Sequence, residues 1–158
     1  MADHSGPTIA DPTDLYISGM DAQLEWDEVA THLTGLANAA TASRDGTPHV
    51  SVVAAVVDGD SIWITTRRSS GKAVNLAENP RIALVFRPGS EAYVNGTVEI
   101  VDDADEKRRR WSGFFPYDAT AFFGAPDNDG VVLLKVRPTA ATVMTQDESG
   151  LHRRRWRA

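Results

Sequence analysis

The chain has 158 residues, no cysteine and a net charge of −6, with 42% hydrophobic and 24% charged residues. These values are ordinary for a single globular domain with a core of its own. The negative charge argues against a general nucleic-acid-binding protein, because phosphate backbones attract cationic surfaces. The lack of cysteine excludes disulfides, thiolate nucleophiles and cysteine-based metal sites. Neither a membrane-length apolar run nor a signal peptide is evident, so we predict a cytoplasmic protein without membrane contacts.

The first part of the chain divides into a lead-in and the start of a domain. Residues 1–20 are rich in Asp, Pro, Gly, Ser and Thr and are predicted to be mobile, whereas residues 21–158 are predicted to form one domain. Next comes a helix-like spacing of apolar residues, namely Leu24, Trp26, Val29, Leu33 and Leu36. This spacing predicts an amphipathic helix that begins near Asp21 and packs against a sheet through Trp26.

Short β-prone segments follow in quick succession. Residues 39–43 and 50–57 flank Asp45-Gly46, which is a hairpin signal. Residues 50–57 are almost wholly apolar, which predicts a strand covered on both faces. Further strands are predicted at residues 62–66, 81–86, 92–101, 131–136 and 139–145, with a close backbone approach at Gly96. Many short strands with few helices favour a mainly β protein whose antiparallel sheet closes into a barrel.

A polar loop joins the strand at residues 62–66 to a short helix. It brings Thr65, Thr66, Ser70 and Lys72 to the start of that helix, where free backbone donors and the positive end of the dipole favour an anion. A phosphate monoester prefers a cation and several short donors, so these residues are candidate phosphate ligands. On the loop alone the alternative, a solvated turn with a serine cap, is favoured.

The motifs around this loop occur in a characteristic order. They are Asp45-Gly46-Thr47-Pro48, Thr65-Thr66, Ser70-Gly71-Lys72, Asn75-Leu76 and Asn79-Pro80. This series resembles the pyridoxamine-phosphate-oxidase-like, FMN-binding split-barrel superfamily, over roughly residues 24–138, and within it the general-stress-protein branch. The resemblance implies a split β-barrel homodimer with FMN at the subunit interface, where the flavin exchanges hydride or electrons with a small-molecule substrate or electron donor.

The resemblance also assigns positions in the phosphate site, and several differ from the family pattern. Ser51 stands where true oxidases carry an arginine that grips the flavin phosphate. Gly71 stands where the family usually has a cation immediately before the loop lysine. The resemblance therefore implies a phosphate site that rests on Lys72, with Arg67 or Arg68 as substitute cations.

The substrate end departs further from the true oxidases. Val56 replaces a lysine, and Gly150 replaces the first arginine of the stretch that holds the pyridoxal substrate, although His152 matches. We therefore expect no pyridoxamine phosphate oxidase activity at a useful rate.

Aromatic and basic clusters supply the remaining candidates. Trp111 and Trp156 are predicted to stack near the flavin ring, whereas Trp63 is predicted to pack in the core. The arginines at 108–110 lie beside acidic residues, so helical ion pairs are the simpler interpretation than nucleic-acid binding. The four histidines are too scattered to suggest a metal site, and no residue is assigned a catalytic role.

Two other functions remain open from the sequence. A deazaflavin-dependent reductase of the same fold would need an extended basic groove for the anionic tail of its cofactor, for which Arg67, Arg68 and residues 153–155 are candidates. A flavin-binding stress or sensor protein would hold the cofactor without turnover.

Overall fold

The structure is a computed structural model that describes residues 23–87 and 89–158. The predicted lead-in at residues 1–20 and the predicted helix start at Asp21 lie outside the described residues. The helices are α1 (Trp26–Ala30), α2 (Gly71–Glu78), α3 (Ala104–Arg109) and α4 (Ala119–Phe123). The strands are β1 (Leu36–Ala42), β2 (Pro48–Asp58), β3 (Ser61–Arg67), β4 (Arg81–Phe86), β5 (Glu91–Val101), β6 (Val131–Asp147) and β7 (Gly150–Arg157).

Six antiparallel strands close into a barrel, which confirms the predicted split β-barrel. The strand order is β3-β2-β1-β4-β5-β6, and β3 pairs with β6 to complete the ring. The long strand β6 also pairs with β7, which extends the sheet beyond the barrel. Closure leaves few free strand edges, so the barrel walls can carry a site at a fixed geometry.

The core fills the inside of the barrel. Alternate residues of each strand point inward, as in β4, where Ile82, Leu84 and Phe86 are buried while the residues between them are partly exposed. The inner residues of β3 and β6 meet across the closing pair, where Ile64 lies opposite Leu134. This period of two allows each strand to present one face to the core and the other to the outside.

Two glycine predictions are confirmed. Gly46 has φ of 89° in the β1–β2 turn, a conformation that glycine adopts at little cost. At Gly96 a Cβ would lie 2.6 Å from the Arg137 backbone oxygen, and the β5–β6 register shifts between Asn95 and Gly96. Only glycine permits this approach between the two strands.

The predicted ion pairs along α3 are also present. Arg108 pairs with Asp105 at 2.5 Å, and Arg109 and Arg110 both pair with Glu106. The Arg110 guanidinium also lies 3.7 Å from the centre of the Trp63 ring, which is 2% exposed. The prediction that Trp63 packs in the core is therefore confirmed.

Other predictions from the pattern are wrong in extent. The first helix covers only Trp26–Ala30, and Leu36 instead begins β1 with 65% of its surface exposed. The two predicted strands at residues 131–136 and 139–145 are one continuous strand, β6.

Strand β2 is not covered on both faces within the chain. Val53 and Ala55 are buried, but Val50 and Val52 are 67% and 63% exposed. The apolar run therefore marks one core face and one exposed apolar face.

No helix among the described residues is long and apolar enough to cross a membrane. The cytoplasmic location stays a prediction.

Candidate functional site

Three of the predicted phosphate ligands form a connected group where β3 runs into α2. Ser70 is the N-cap of α2, and its Oγ accepts a hydrogen bond from the Ala73 N–H at 3.3 Å. Thr66 donates to Ser70 Oγ at 3.0 Å, and Lys72 Nζ donates to Thr66 Oγ1 at 3.3 Å. The hydroxyl at the cap and the apolar positions Ala73 and Leu76 explain why the helix starts here and packs on the barrel. The result is two hydroxyls and an ammonium group at a helix N-terminus.

This group lies at one end of a cleft of about 580 Å³. The other polar residues of the lining are Thr65, Arg67 and Ser69. One apolar wall comes from β1 and β2, and a second comes from the segment between β5 and β6. The wall residues are Leu36, Val52, Val53, Ala54, Pro116, Tyr117, Phe122 and Phe123. The cleft thus combines a compact donor end with two apolar walls.

The electrostatics of the cleft favour an anion. Arg67 and Lys72 are cations, and no carboxylate is among the described residues that line the cleft. The first turn of α2 likewise contains no acidic residue. Burial lowers the pKa of Lys72, because desolvation disfavours its charged form. A bound anion would oppose this effect and hold the ammonium group in its charged state.

Tyr117 is the titratable phenol of the cleft. Burial raises the pKa of its hydroxyl, and the neighbouring Thr65 side chain lowers it in part. Thr65 is itself buried on the outer face of β3, beneath the aromatic segment. The Tyr117 hydroxyl therefore stays protonated at neutral pH and can donate a hydrogen bond into the cleft.

The aromatic wall is fixed to the barrel by basic side chains. Arg67 donates to the Phe122 carbonyl at 2.9 Å, and Arg68 donates to the Asp129 carbonyl at 2.9 Å. Asp118 caps α4 by accepting from the Thr120 N–H at 2.9 Å. Of the two predicted substitute cations, Arg67 lines the cleft, whereas Arg68 pairs with Asp102.

The other predicted cofactor residues lie apart from this group. Ser51 is on the inner face of β2, opposite Ala39, and its buried Oγ has no hydrogen-bond partner among the described residues. Trp111 is 6% exposed and donates to Thr120 Oγ1 at 3.0 Å. Trp156 packs against Trp26 with ring centres 5.0 Å apart. None of these three lines the cleft, and their contact with a cofactor stays a prediction.

Sequence reasoning missed the walls of the cleft. Tyr117, Phe122 and Phe123 stand in a segment whose only sequence signal is a cluster of aromatic residues without strand or helix spacing. Leu36 and Val52 gave no signal of a site, because each was interpreted as part of an apolar pattern. Their role depends on strand pairing between distant parts of the chain, which brings Leu36 opposite Ala54.

A profile of the pyridoxamine 5'-phosphate oxidase family matches residues 28–145. The chain belongs to this family. No curated protein sequence matches the chain. The match includes β1 to β5, most of β6 and every predicted phosphate ligand, so the family assignment and the cleft concern the same part of the molecule.

Solved structures of family members and relatives share the fold. General stress protein 26 from Bacillus anthracis is 20% identical, with a TM-score of 0.62, over 74% of this chain and 91% of that chain. An FMN-binding protein related to pyridoxamine 5'-phosphate oxidase, from Nostoc punctiforme, is 15% identical, with a TM-score of 0.55, over 80% and 84% of the two chains. An F420 reductase is 26% identical, with a TM-score of 0.51, over 67% and 87%. The likeness to these structures shows the split-barrel fold.

Proposed function

We propose that the protein is a flavin-dependent oxidoreductase that binds FMN in this cleft and acts on a small molecule. The observation that carries the proposal is the cleft itself, which joins an anion-binding helix start to two apolar walls without a lining carboxylate. An FMN molecule has the matching division, with a phosphate at one end and a flat, largely apolar ring system at the other. The family match supports the same cofactor class.

The residues of the cleft have separable tasks in this proposal. Lys72, Ser70 and Thr66 hold the phosphate through charge-assisted and neutral hydrogen bonds. Phe122, with the β2 residue Val52, would pack against the ring and lose part of its exposed apolar surface there. When bound, FMN supplies the hydride or electron transfer, and the chain supplies binding, orientation and electrostatics. Tyr117 holds its proton at the hydroxyl and donates a hydrogen bond to the ligand.

A homodimer belongs to the proposal, because the cleft opens onto an exposed apolar face. On the outside of the barrel, the neighbouring strands β1 and β2 expose Leu36, Val50 and Val52, each at least 63% exposed. Val52 is 63% exposed and also lines the cleft. Contiguous apolar surface of this kind marks interaction sites, and a twofold dimer buries the same patch on both copies. A second copy on this face would complete the wall of the cleft.

A deazaflavin-dependent reductase is the second candidate. It is favoured by one observation, the 26% identity to an F420 reductase over 67% of the chain. Of the arginines predicted to form a basic groove, one lines the cleft and two others are paired with carboxylates. Arg67 lines the cleft, but Arg68 pairs with Asp102, and Arg154 on β7 pairs with Glu28 at 3.2 Å. FMN, with its single phosphate, therefore remains the primary proposal.

The test is a titration of the purified protein with FMN and, separately, with a deazaflavin cofactor, followed by anaerobic mixing with a reduced nicotinamide donor. We expect tighter binding of FMN, reduction of the bound flavin and its reoxidation by an added acceptor. Binding of the deazaflavin alone would replace the primary proposal with the second candidate. FMN binding without any electron exchange across a panel of donors and acceptors would indicate a non-catalytic flavin-binding protein.

A further inference from the structure

We propose that His49 is an additional ligand of the cofactor phosphate and supplies the donor that Gly71 lacks. This inference rests on the proposed function, because it concerns the same helix start, which His49 borders from outside the cleft. Three observations support it. The His49 ring contacts the first turn of α2, the ring makes no hydrogen bond or ion pair within the described residues, and position 71 has no side chain.

The His49 imidazole lies against Gly71. A Cβ built on Gly71 would lie 2.9 Å from His49 Nε2 and 3.2 Å from Cδ2. The ring therefore occupies the space in which any side chain at position 71 would begin. Gly71 is the residue between Ser70 and Lys72, so the ring nitrogen lies beside the backbone that joins two of the phosphate ligands.

Strand β2 directs His49 to this position. His49 pairs with Thr41 of β1, and Thr41 Oγ1 accepts a hydrogen bond from Asn75 Nδ2 of α2 at 3.2 Å. The helix is thus fixed over the start of β2, where His49 and, two residues later, Ser51 share one face. The buried Oγ of Ser51 has no partner among the residues that the structure describes.

The His49 ring has no structural task that would explain its place. The residue is exposed, and within residues 23–87 and 89–158 its ring makes no hydrogen bond or ion pair. The charged groups around it are engaged elsewhere. Asp45 accepts hydrogen bonds within its own turn, and Arg44 pairs with Glu78 at 3.7 Å. An imidazole donates through Nε2–H as one neutral tautomer and as the cation, so a phosphate at the α2 start would satisfy it.

The ligand class that this arrangement recognises is a phosphate monoester. Lys72 and Ser70 approach from the cleft, and His49 approaches from the other side of Gly71, which has no side chain to separate them. A residue with a Cβ at position 71 would push the ring away from the loop. The glycine at position 71 is therefore required for His49 to reach the phosphate.

The experiment compares FMN with riboflavin, which lacks the phosphate, on His49→Ala, Gly71→Ala and the double variant. We expect each single substitution to weaken FMN binding about fivefold to tenfold and to leave riboflavin binding within about twofold. The double variant should be no weaker than His49→Ala alone, because the added Cβ acts by displacing the ring. Circular dichroism and thermal unfolding would establish that each variant is folded.

The outcomes separate this inference from the function on which it rests. Loss of FMN preference in Lys72→Ala but not in His49→Ala would overturn the role of His49 and leave the phosphate site intact. A further loss on adding Gly71→Ala to His49→Ala would overturn the coupling of the two positions. A wild-type protein that binds FMN and riboflavin equally would overturn the phosphate site itself, and His49 with it.

Discussion

Lys107 is a cation with only 2% of its side chain exposed. Its ammonium group donates to Asp102 Oδ1 at 3.0 Å, to the Asn128 carbonyl at 3.3 Å and to the Val131 carbonyl at 3.2 Å. These bonds tie α3 and the end of the aromatic segment to the start of β6. A buried charge is tolerated when every donor has a partner, as it has here.

We expect Lys107→Met to destabilise the protein by about 2–4 kcal/mol, because two carbonyls lose a donor while Asp102 keeps only Arg68. Chemical denaturation measures the change. Arg108→Met is the matched control, since its pair with Asp105 is exposed on both sides and such pairs contribute about 0–1 kcal/mol. Equal effects of the two substitutions would contradict the account of Lys107.

The sequence predicts the role of a residue well when that role depends on neighbours a few positions away in the chain. Thr66, Ser70 and Lys72 were predicted because their chemistry depends on a local event, the start of α2, that the sequence records within seven residues. Tyr117 and Phe122 line the same cleft because the segment between β5 and β6, which contains them, packs against the outer face of β3. No local spacing encodes that contact, so the sequence alone could not place them.

At the scale of elements, the β1–β2 hairpin is held by its turn. The Asp45 carboxylate accepts from the Ser43 hydroxyl, from the Thr47 N–H at 3.1 Å and from the Thr47 hydroxyl at 2.8 Å. The bond from Ser43 is the largest cause, and together they lower the pKa of Asp45 from 3.8 to about 2. Hydrogen bonds to the ionised form stabilise it in the folded turn.

The lowered pKa of Asp45 makes the stability of the folded hairpin depend on pH. Since the folded pKa lies below the unfolded one, the contribution of Asp45 to stability is present above pH 3.8 and is lost as the pH falls toward 2. We expect Asp45→Asn to lower the thermal midpoint at pH 6 and to match the wild type near pH 2. Asp127→Asn, at an exposed carboxylate, is the control. A midpoint difference that does not vary with pH would contradict this assignment.

Elements were predicted well where turn chemistry marked their ends and poorly where only apolar spacing was available. Asp45-Gly46 and Ser70 delimit β1, β2 and α2 correctly to within a few residues. The spacing from Leu24 to Leu36 matched a helix, but pairing of Leu36 with Ala54 of β2 outweighs that local preference. The predicted strands at residues 131–136 and 139–145 continue as one strand, because Pro138 lies opposite Gly96 at the register shift, where an irregular ladder tolerates it.

At the scale of the whole molecule, the exposed face of β1 and β2 predicts a dimer. We expect a mass of twice the chain by light scattering at micromolar concentration. Val50→Asp should produce a monomer, because it places a charge in the centre of an apolar interface without touching the cleft lining. Val74→Asp is the matched control, since Val74 is 54% exposed on α2 and outside that face. A wild-type monomer with flavin bound would contradict the proposal that a second copy completes the wall of the cleft.

The central claim is that the start of α2 binds a flavin phosphate, and the most direct measurement is the ratio of FMN to riboflavin affinity in Lys72→Ala. Removing a charge-assisted phosphate contact should weaken FMN binding by roughly tenfold to a hundredfold and leave riboflavin binding unchanged. Lys135→Ala, which removes a lysine outside the cleft lining, should change neither affinity. Fluorescence titration of the folded variants gives both values. An unchanged affinity ratio in Lys72→Ala would contradict the phosphate site.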